Sequence, residues 1–557
     1  MISNKGSFTQ PAFNYPKEAL ITLYLLLFLN LYIERLFDLG FSVSNLAYIT
    51  LFLTLTASLI IIARIANTLI RIIVGFILYI SASTEAAYEN IAADTMNYNT
   101  FISLLNAHSS AGDAWTQYSS SIISNALFAL LLLIGLVLKP RKKATIRMIF
   151  IACVPFFLLV SILFLRGGDG AKALPKGYTI LAYSTLSLYE AANDKLSLQT
   201  RSQVQLEREG KKINQDIVLI IDESIAANYL NINSAVGVPT ALDKSNPEYK
   251  INNFGYAASI ANCSHETNLT LRYGGTRENY LGIIATMPSI WEYAKNANMR
   301  TVYIDAQRTH GELQNGMTES EKQHIDKFIQ FNEIPVLERD IAASEELVNL
   351  INNNQPDFII MNKVGAHFPI HDKYPDNYLK YKPVLQRGGF KNISDTGSRT
   401  GFSGSEVDWQ YYRNSYKNTL LWNVGEFFNN IFKKANLNKA TLIYTSDHGQ
   451  DLHENGREGL YAHCSKSPAM EEGLVPLVII EGSSLNSLNW NVKQNKNNSS
   501  HYNIFPTLLS LMHYNKSQIN SFYGKSLDLI TNDDMTFNAH FHARLGTNPK
   551  WVKVRVN

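Results

Sequence analysis

The chain has 557 residues, of which 46% are hydrophobic and 17% charged, and its formal net charge is +3. That balance, with no basic run outside a few short loops, excludes a nucleic-acid binder held by charge. Length allows a membrane region followed by one large or two small further domains.

The apolar residues gather at the front. Five apolar runs lie near Ala19–Phe37, Leu46–Ile62, Ile70–Ala82, Ile122–Leu138 and Ile146–Leu165, most of them close to the ~20 residues needed to cross a bilayer. The third is shortest and carries Arg71 at its edge. A secretory signal would give one such run, whereas a succession predicts an integral membrane domain. Lys139, Arg141, Lys142, Lys143 and Arg147 mark the loop between the fourth and fifth spans as cytoplasmic, because cationic loops stay inside. The stretch Ser83 to Ser120 carries Glu85, Glu89, Asp94 and Asp113 without Lys or Arg, so it falls on the other side. This orientation puts the N-terminus inside and everything after Arg166 outside, which in a bacterium is the periplasm or the outer surface.

The pattern divides the chain into a transmembrane domain over 1–166, with an outer loop near 83–120, a connector over 167–214, and a catalytic domain over 215–557. In the last part, strand-like runs at Ile217–Ile221, Thr301–Ile304, Phe358–Met361, Thr441–Tyr444 and Leu474–Ile480 alternate with helix-like ones at Ile290–Ala297, Ile341–Ile351, Leu420–Ala435 and Ile504–Met512. Alternation of this kind predicts a doubly wound α/β domain.

Two of those strands end in metal-ligand residues. Asp222-Glu223-Ser224 closes the first, and Thr445-Ser446-Asp447-His448-Gly449 closes the fourth. Ligands collect beyond the carboxyl ends of strands in open α/β sheets, so the two termini predict one shared site. Glu223, Asp447 and His448 offer two hard oxygens and an imidazole, a set suited to zinc and, less commonly, manganese. The hydroxyl-rich stretch Asn262 to Asn268 lies between them in sequence and can supply a nucleophile whose proton a metal would loosen. Ser264, Thr267 and Thr270 are its candidates. His367 and His463 follow other apolar runs and could bind a phosphate or a second metal, while His371 and His453 read as surface or supporting groups. Ser224 reads as a helix cap. Cys153 lies inside the fifth span; Cys263 and Cys464 both flank the site and can pair, though sequence does not supply their geometry.

At this point a family resemblance emerges. Ser446-Asp447-His448-Gly449-Gln450-Asp451-Leu452-His453-Glu454-Asn455-Gly456 resembles the "SDHGESLGENG" signature of the phosphoethanolamine transferases that modify lipid A and lipooligosaccharide, including the mobile colistin-resistance enzymes. Ile221-Asp222-Glu223-Ser224 is similar to their "GET" strand end, Cys263-Ser264-His265-Glu266-Thr267 to "CGTxT", Ala366-His367-Phe368-Pro369 to "SHGP" and Tyr461-Ala462-His463 to "YLHG". The resemblance implies five spans followed by a periplasmic alkaline-phosphatase-like domain. It implies Thr267 as nucleophile, a catalytic zinc held by Glu223, Thr267, Asp447 and His448, and His367 and His463 as ligands of the phosphoethanolamine group or of a second zinc. Asp94 to Asn99 is similar to the family's "DxMxxN" segment and implicates Asn99 in holding donor lipid. The implied reaction moves phosphoethanolamine from phosphatidylethanolamine to lipid A, lipooligosaccharide or another envelope glycan through a phosphothreonine, at a bacterial inner membrane, with polymyxin resistance a property of some members.

Departures from the family pattern are also visible. Asp222 replaces a glycine, Asp305-Ala306-Gln307-Arg308 matches the "DN" loop only loosely, and at most one disulfide can form in the outer domain. The rivals are a phosphoglycerol transferase resembling lipoteichoic acid synthase, and a non-catalytic membrane-anchored binding protein. A formylglycine sulfatase needs a C/S-x-P-x-R segment, which the residues after Cys263 do not supply.

Overall fold

The computed structural model describes the chain except for residues 1–15, 93–94, 107–110, 194–199, 245, 354, 368–369, 388–403, 457–461, 466 and 556–557. Two compact units emerge, one of Met1–Asp194 with Arg544–Thr547 and the other of Lys195–Ala543 with Asn548–Asn557.

The first unit is helical. Four helices are long and apolar enough to cross a membrane: α3 (Val43–Ala63), α4 (Thr68–Ala92), α6 (Ala111–Val137) and α7 (Ile146–Leu165). Ahead of them, α1 (Pro16–Leu26) and α2 (Leu29–Leu39) are bent by 59° at a short break, so the first apolar run is not a straight helix, and it makes a fifth span only where the pair crosses as one. Many large apolar side chains, among them Phe150, Val154 and Phe157 on α7, face outward, as lipid-facing positions require. Arg71 is satisfied without leaving the helix end: its guanidinium donates to Val137 O at 3.1 Å and Ile65 O at 2.7 Å. A cation at such carbonyl ends complements the helix dipole.

The acidic stretch after the third span is helical where sequence suggested a loop. α4 runs on to Ala92, and α5 (Tyr98–Asn106) follows. Glu85 and Glu89 are not free loop carboxylates, because both pair with buried Lys176, the former at 3.2 Å. Lys176 lies just before α8 (Thr179–Asn193), a helix inside the stretch read as connector. Neither element has a local signal strong enough to separate it from a polar loop, since each is held by contacts distant in sequence.

In the second unit an eight-stranded sheet has the order β4-β3-β5-β1-β6-β7-β2-β8. Its strands are β1 (Asp216–Asp222), β2 (Tyr249–Ala258), β3 (Arg300–Asp305), β4 (Lys327–Gln330), β5 (Asp357–Asn362), β6 (Ala440–Ser446), β7 (Leu474–Gly482) and β8 (Ser499–Ser500). β4, β3, β5, β1 and β6 are mutually parallel, and β7 runs against both β6 and β2. Every residue of β1, β5, β6 and β7 is buried, which is why these read as continuous apolar runs. β2 escaped that reading because Lys250, Asn252 and Asn253 interrupt it. Cores lie on both faces: Trp409, Phe427 and Phe428 pack on one, and Trp291, Phe505 and Leu508 on the other.

Register sets up the site. β1 and β6 pair residue for residue to their last positions, Asp222 opposite Ser446, while Ile221 faces Asn362 of β5 and Asp305 of β3 faces the same Asn362. Four parallel strands therefore end together.

At the opposite end of β1, buried Asp216 accepts from the Asp357 backbone N–H at 2.8 Å. Burial raises its carboxyl to about 7, against that hydrogen bond and with the charge of Asp357 adding to the rise. A carboxyl raised on folding binds its proton more tightly in the folded state, so its contribution is complete at acidic pH and is lost as pH rises from near 4 through about 7. We expect Asp216→Asn to flatten this fall, measured as thermal midpoint against pH; an unchanged slope would contradict the assignment.

Candidate metal and nucleophile site

Glu223, Asp447 and His448 come together at the ends of β1 and β6, fully buried, with their ligand atoms all within 4.8 Å of one another. His448 Nε2 stands 3.5 Å from Glu223 Oε1 and 3.7 Å from Asp447 Oδ2. Its Nδ1 lies 2.8 Å from Gly449 O, a contact made by an Nδ1–H donor that turns Nε2 toward the carboxylates.

The two carboxylates are anchored differently, Asp447 through one oxygen and Glu223 through both. Asp447 Oδ1 accepts the backbone N–H groups of Ser224 at 3.0 Å and His448 at 2.8 Å. Among the described residues its Oδ2 is buried with no hydrogen-bond partner. Glu223 accepts from Ser224 Oγ at 2.8 Å and from Gln307 Nε2 at 3.2 Å. Burial pushes Asp447 up to about 7, reinforced by the charge of Glu223. Burial opposes ionisation of Glu223 too, but the adjacent His448 holds it below the ordinary carboxylate range. For His448 burial favours the neutral ring, and the charges of Asp447 and Glu223 prevail, raising it to about 9.

An anionic pair around one imidazole, with a buried carboxylate oxygen left unsatisfied, is costly as it stands. A divalent cation would satisfy that oxygen and replace the proton on His448, so the residues fit a metal of the zinc class.

Ser264 faces this set. It is the first residue of α9 (Ser264–Tyr273), and its Oγ lies 3.3 Å from His448 Nε2 and 3.3 and 3.4 Å from the two Glu223 oxygens. Thr267, expected there, lies elsewhere on the helix. One turn further along α9 it is wholly buried, its hydroxyl turned back to Ala261, 3.3 Å from the N–H and 3.5 Å from the carbonyl. The residue that opens the helix, Ser264, is the one whose hydroxyl meets the set. Thr270 donates to Glu266 O at 2.8 Å, a helix-internal bond.

The remaining expectations divide. The His463 ring stacks on His448 at 4.4 Å between centres, and His367 follows β5 close enough for its charge to act on Glu223. Phe368, Pro369 and Tyr461 of their motifs lie outside the described residues. Asn99 belongs to the first unit, exposed on α5 with its carbonyl accepting from Ser103 Oγ at 3.0 Å; Asp94 of the same motif is outside the described residues. His371 and His453 are buried rather than surface groups, His453 stacking on Trp409 at 4.0 Å. Ser224 caps no helix. It sits at φ 62° in the turn after β1, its carbonyl accepting from Tyr416 OH.

Asp222 is a partner of Lys363, not a ligand. Lys363 Nζ meets Asp222 Oδ2 at 2.6 Å and Asn423 O at 2.6 Å, wholly buried, with Asp340 3.8 Å away. Neither Lys363 nor Gln307 stood out in sequence. Gly365, at φ +53°, makes room for the site: a Cβ there would lie 2.4 Å from Asp222 Oδ1 and 2.7 Å from Glu223 N. Cys263 and Cys464 form a disulfide across 201 residues, tying the residue before Ser264 to the residue after His463. We expect Cys464→Ser to lower stability by about 2–4 kcal/mol, read from thermal unfolding with and without reductant; equal midpoints would contradict this.

Fold and site define an α/β domain with a metal-type acidic and histidine set beyond the strand ends. The Sulfatase family model matches residues 215–514, more than half of the chain, and the chain belongs to that family. Two curated relatives are Kdo(2)-lipid A phosphoethanolamine 7''-transferases, 25% identical over 142 residues in Salmonella typhimurium and 24% over 143 in Escherichia coli. Each match spans 25% of this chain and 22% of the relative's length. The integral membrane lipooligosaccharide phosphoethanolamine transferase A of Neisseria meningitidis shares the fold, with TM-score 0.56, 19% identity, and coverage of 81% of this chain and 85% of that one. Both comparisons support the phosphoethanolamine transferase resemblance read from the motifs.

Proposed function

We propose that this chain is a membrane-anchored phosphoethanolamine transferase that takes phosphoethanolamine from phosphatidylethanolamine and passes it to lipid A, lipooligosaccharide or a related envelope glycan. The observation that carries the reading is the Ser264 hydroxyl, first on its helix and within 3.4 Å of Glu223 and His448. We place the reaction on the periplasmic side of a bacterial inner membrane, where both lipids meet.

In this reading Glu223, Asp447 and His448 would hold a zinc ion beside the Ser264 hydroxyl. Bound zinc supplies Lewis acidity, lowering the hydroxyl's pKa and offsetting charge on phosphate oxygens. Ser264 Oγ attacks the phosphorus as the bond from phosphorus to the diacylglycerol oxygen breaks; the serine hydroxyl's proton passes to solvent, and the departing diacylglycerol oxygen takes up a proton from solvent. The resulting phosphoserine carries the phosphoethanolamine until an acceptor oxygen displaces it. In this reading His463 and His367 bind non-bridging oxygens, and the N–H groups at the start of α9 add to that stabilisation. Ser224 and Gln307 fix Glu223 throughout. Asn99 keeps its proposed place as a donor-lipid contact.

Diacylglycerol release from mixed vesicles tests this. We expect release from phosphatidylethanolamine that stops when a chelator strips the protein and returns with zinc. Release from phosphatidylglycerol alone would replace the reading with a phosphoglycerol transferase, and release from neither would favour a binding protein.

A further inference from the structure

A second group of metal-binding side chains lies on the same helix turn and takes no part in the reaction above. His265 and Glu266 follow Ser264 on α9, and His542 meets them from near the end of the chain. His542 Nε2 is 3.3 Å from Glu266 Oε1, and the rings of His265 and His542 are 6.5 Å apart between centres. The other carboxylate oxygen, Glu266 Oε2, is buried with no hydrogen-bond partner among the described residues. A carboxylate oxygen withdrawn from water without a donor is expensive, and this carboxylate already meets one imidazole through its other oxygen.

The surroundings keep the cluster in place. Gly316, at φ +70°, lies against His265, where a Cβ would come within 3.0 Å of the ring's Cε1. On the other side Phe541, next to His542, packs on Tyr280 at 4.5 Å between ring centres. The cluster thus joins two segments far apart in sequence, and none of its residues belongs to the Glu223, Asp447 and His448 set.

We propose that Glu266, His265 and His542 form a second divalent-cation site of the zinc class. One carboxylate and two imidazoles are a nitrogen and oxygen set of the kind zinc takes. Imidazoles sharing one zinc at Zn–N of about 2.0–2.1 Å place their ring centres roughly 5–6 Å apart, and the 6.5 Å here is wider, so binding requires the two rings to draw together. The bound ion would pin the segment around His542 to the first turn of α9, and through it steady the residue next to Ser264.

The test uses the full chain in detergent, stripped with chelator, titrated with zinc alone and read as zinc per chain. It is done in an Asp447→Asn background, so that loss of the first set and loss of the second are counted separately. We expect one zinc to remain in that background, and Glu266→Gln or His542→Gln to remove it or weaken it at least tenfold while the elution profile is unchanged. Two such variants guard against one failing to fold. Zinc binding in the Asp447→Asn chain that is absent, or is unchanged by both substitutions, would overturn the proposal and leave Glu266 and His542 a simple ion pair. Failure of Asp447→Asn to lower the zinc count bears on the first set alone.

Discussion

Ser264→Ala is expected to reduce turnover by roughly a thousandfold or more, the scale reached when a covalent nucleophile is removed, while Thr267→Val leaves most of it. The contrast follows from where the two hydroxyls point. Ser264 Oγ is within hydrogen-bonding reach of Glu223 and His448, whereas Thr267 Oγ is occupied with the Ala261 backbone in a closed environment. Valine nearly matches threonine in shape, so losing one long hydrogen bond there costs about 1 kcal/mol of stability and does not touch the reacting oxygen. Diacylglycerol release by the two variants at equal protein concentration measures this. Loss of activity in Thr267→Val with Ser264→Ala retained would reverse the assignment.

Lys363→Met should cost the second unit about 3–5 kcal/mol, because breaking a buried ion pair leaves an uncompensated charge. Lys363 Nζ sits between Asp222 and Asp340, donates to Asn423 O and lies 4.2 Å from the Phe427 ring centre, with no solvent to take its place. Burial already raises Asp222 to about 6, with Lys363 holding it down. Without the lysine both aspartates must take up protons. The damage reaches the site, since Asp222 Oδ1 accepts the Glu223 N–H at 3.1 Å and its Oδ2 accepts from Tyr444 OH at 3.0 Å. Thermal unfolding should show a lowered midpoint, partly restored in Lys363→Met with Asp222→Asn. An unchanged midpoint in the single variant would contradict the account.

Much of this site could be read from the chain because its ligands end strands that are apolar along their whole length. Ile217–Ile221 and Thr441–Tyr444 announce β1 and β6, and the residues that follow are polar types with little reason to stand there otherwise. Parallel pairing in register then makes two distant segments neighbours, which sequence can suggest and only a sheet can establish. Which hydroxyl of the segment faces the acidic and histidine set was not legible, because a motif offset does not state which residue opens a helix. In α9 the difference of three positions turns a hydroxyl from the metal set to the Ala261 backbone. Lys363, Gln307 and the His542–Glu266 pair carried no local signal, since each acquires meaning from a partner 30 or more residues away. In the first unit hydropathy found the spans but not the break between α1 and α2, nor the helices α5 and α8.

The most direct measurement is peptide mass spectrometry of the full chain after incubation with phosphatidylethanolamine and no acceptor, with fragmentation that separates Ser264 from Thr267. A phosphoethanolamine adduct on Ser264, absent from Ser264→Ala and present in Thr267→Val, is the predicted result. An adduct on Thr267, or none on either residue while diacylglycerol is still released, would contradict it.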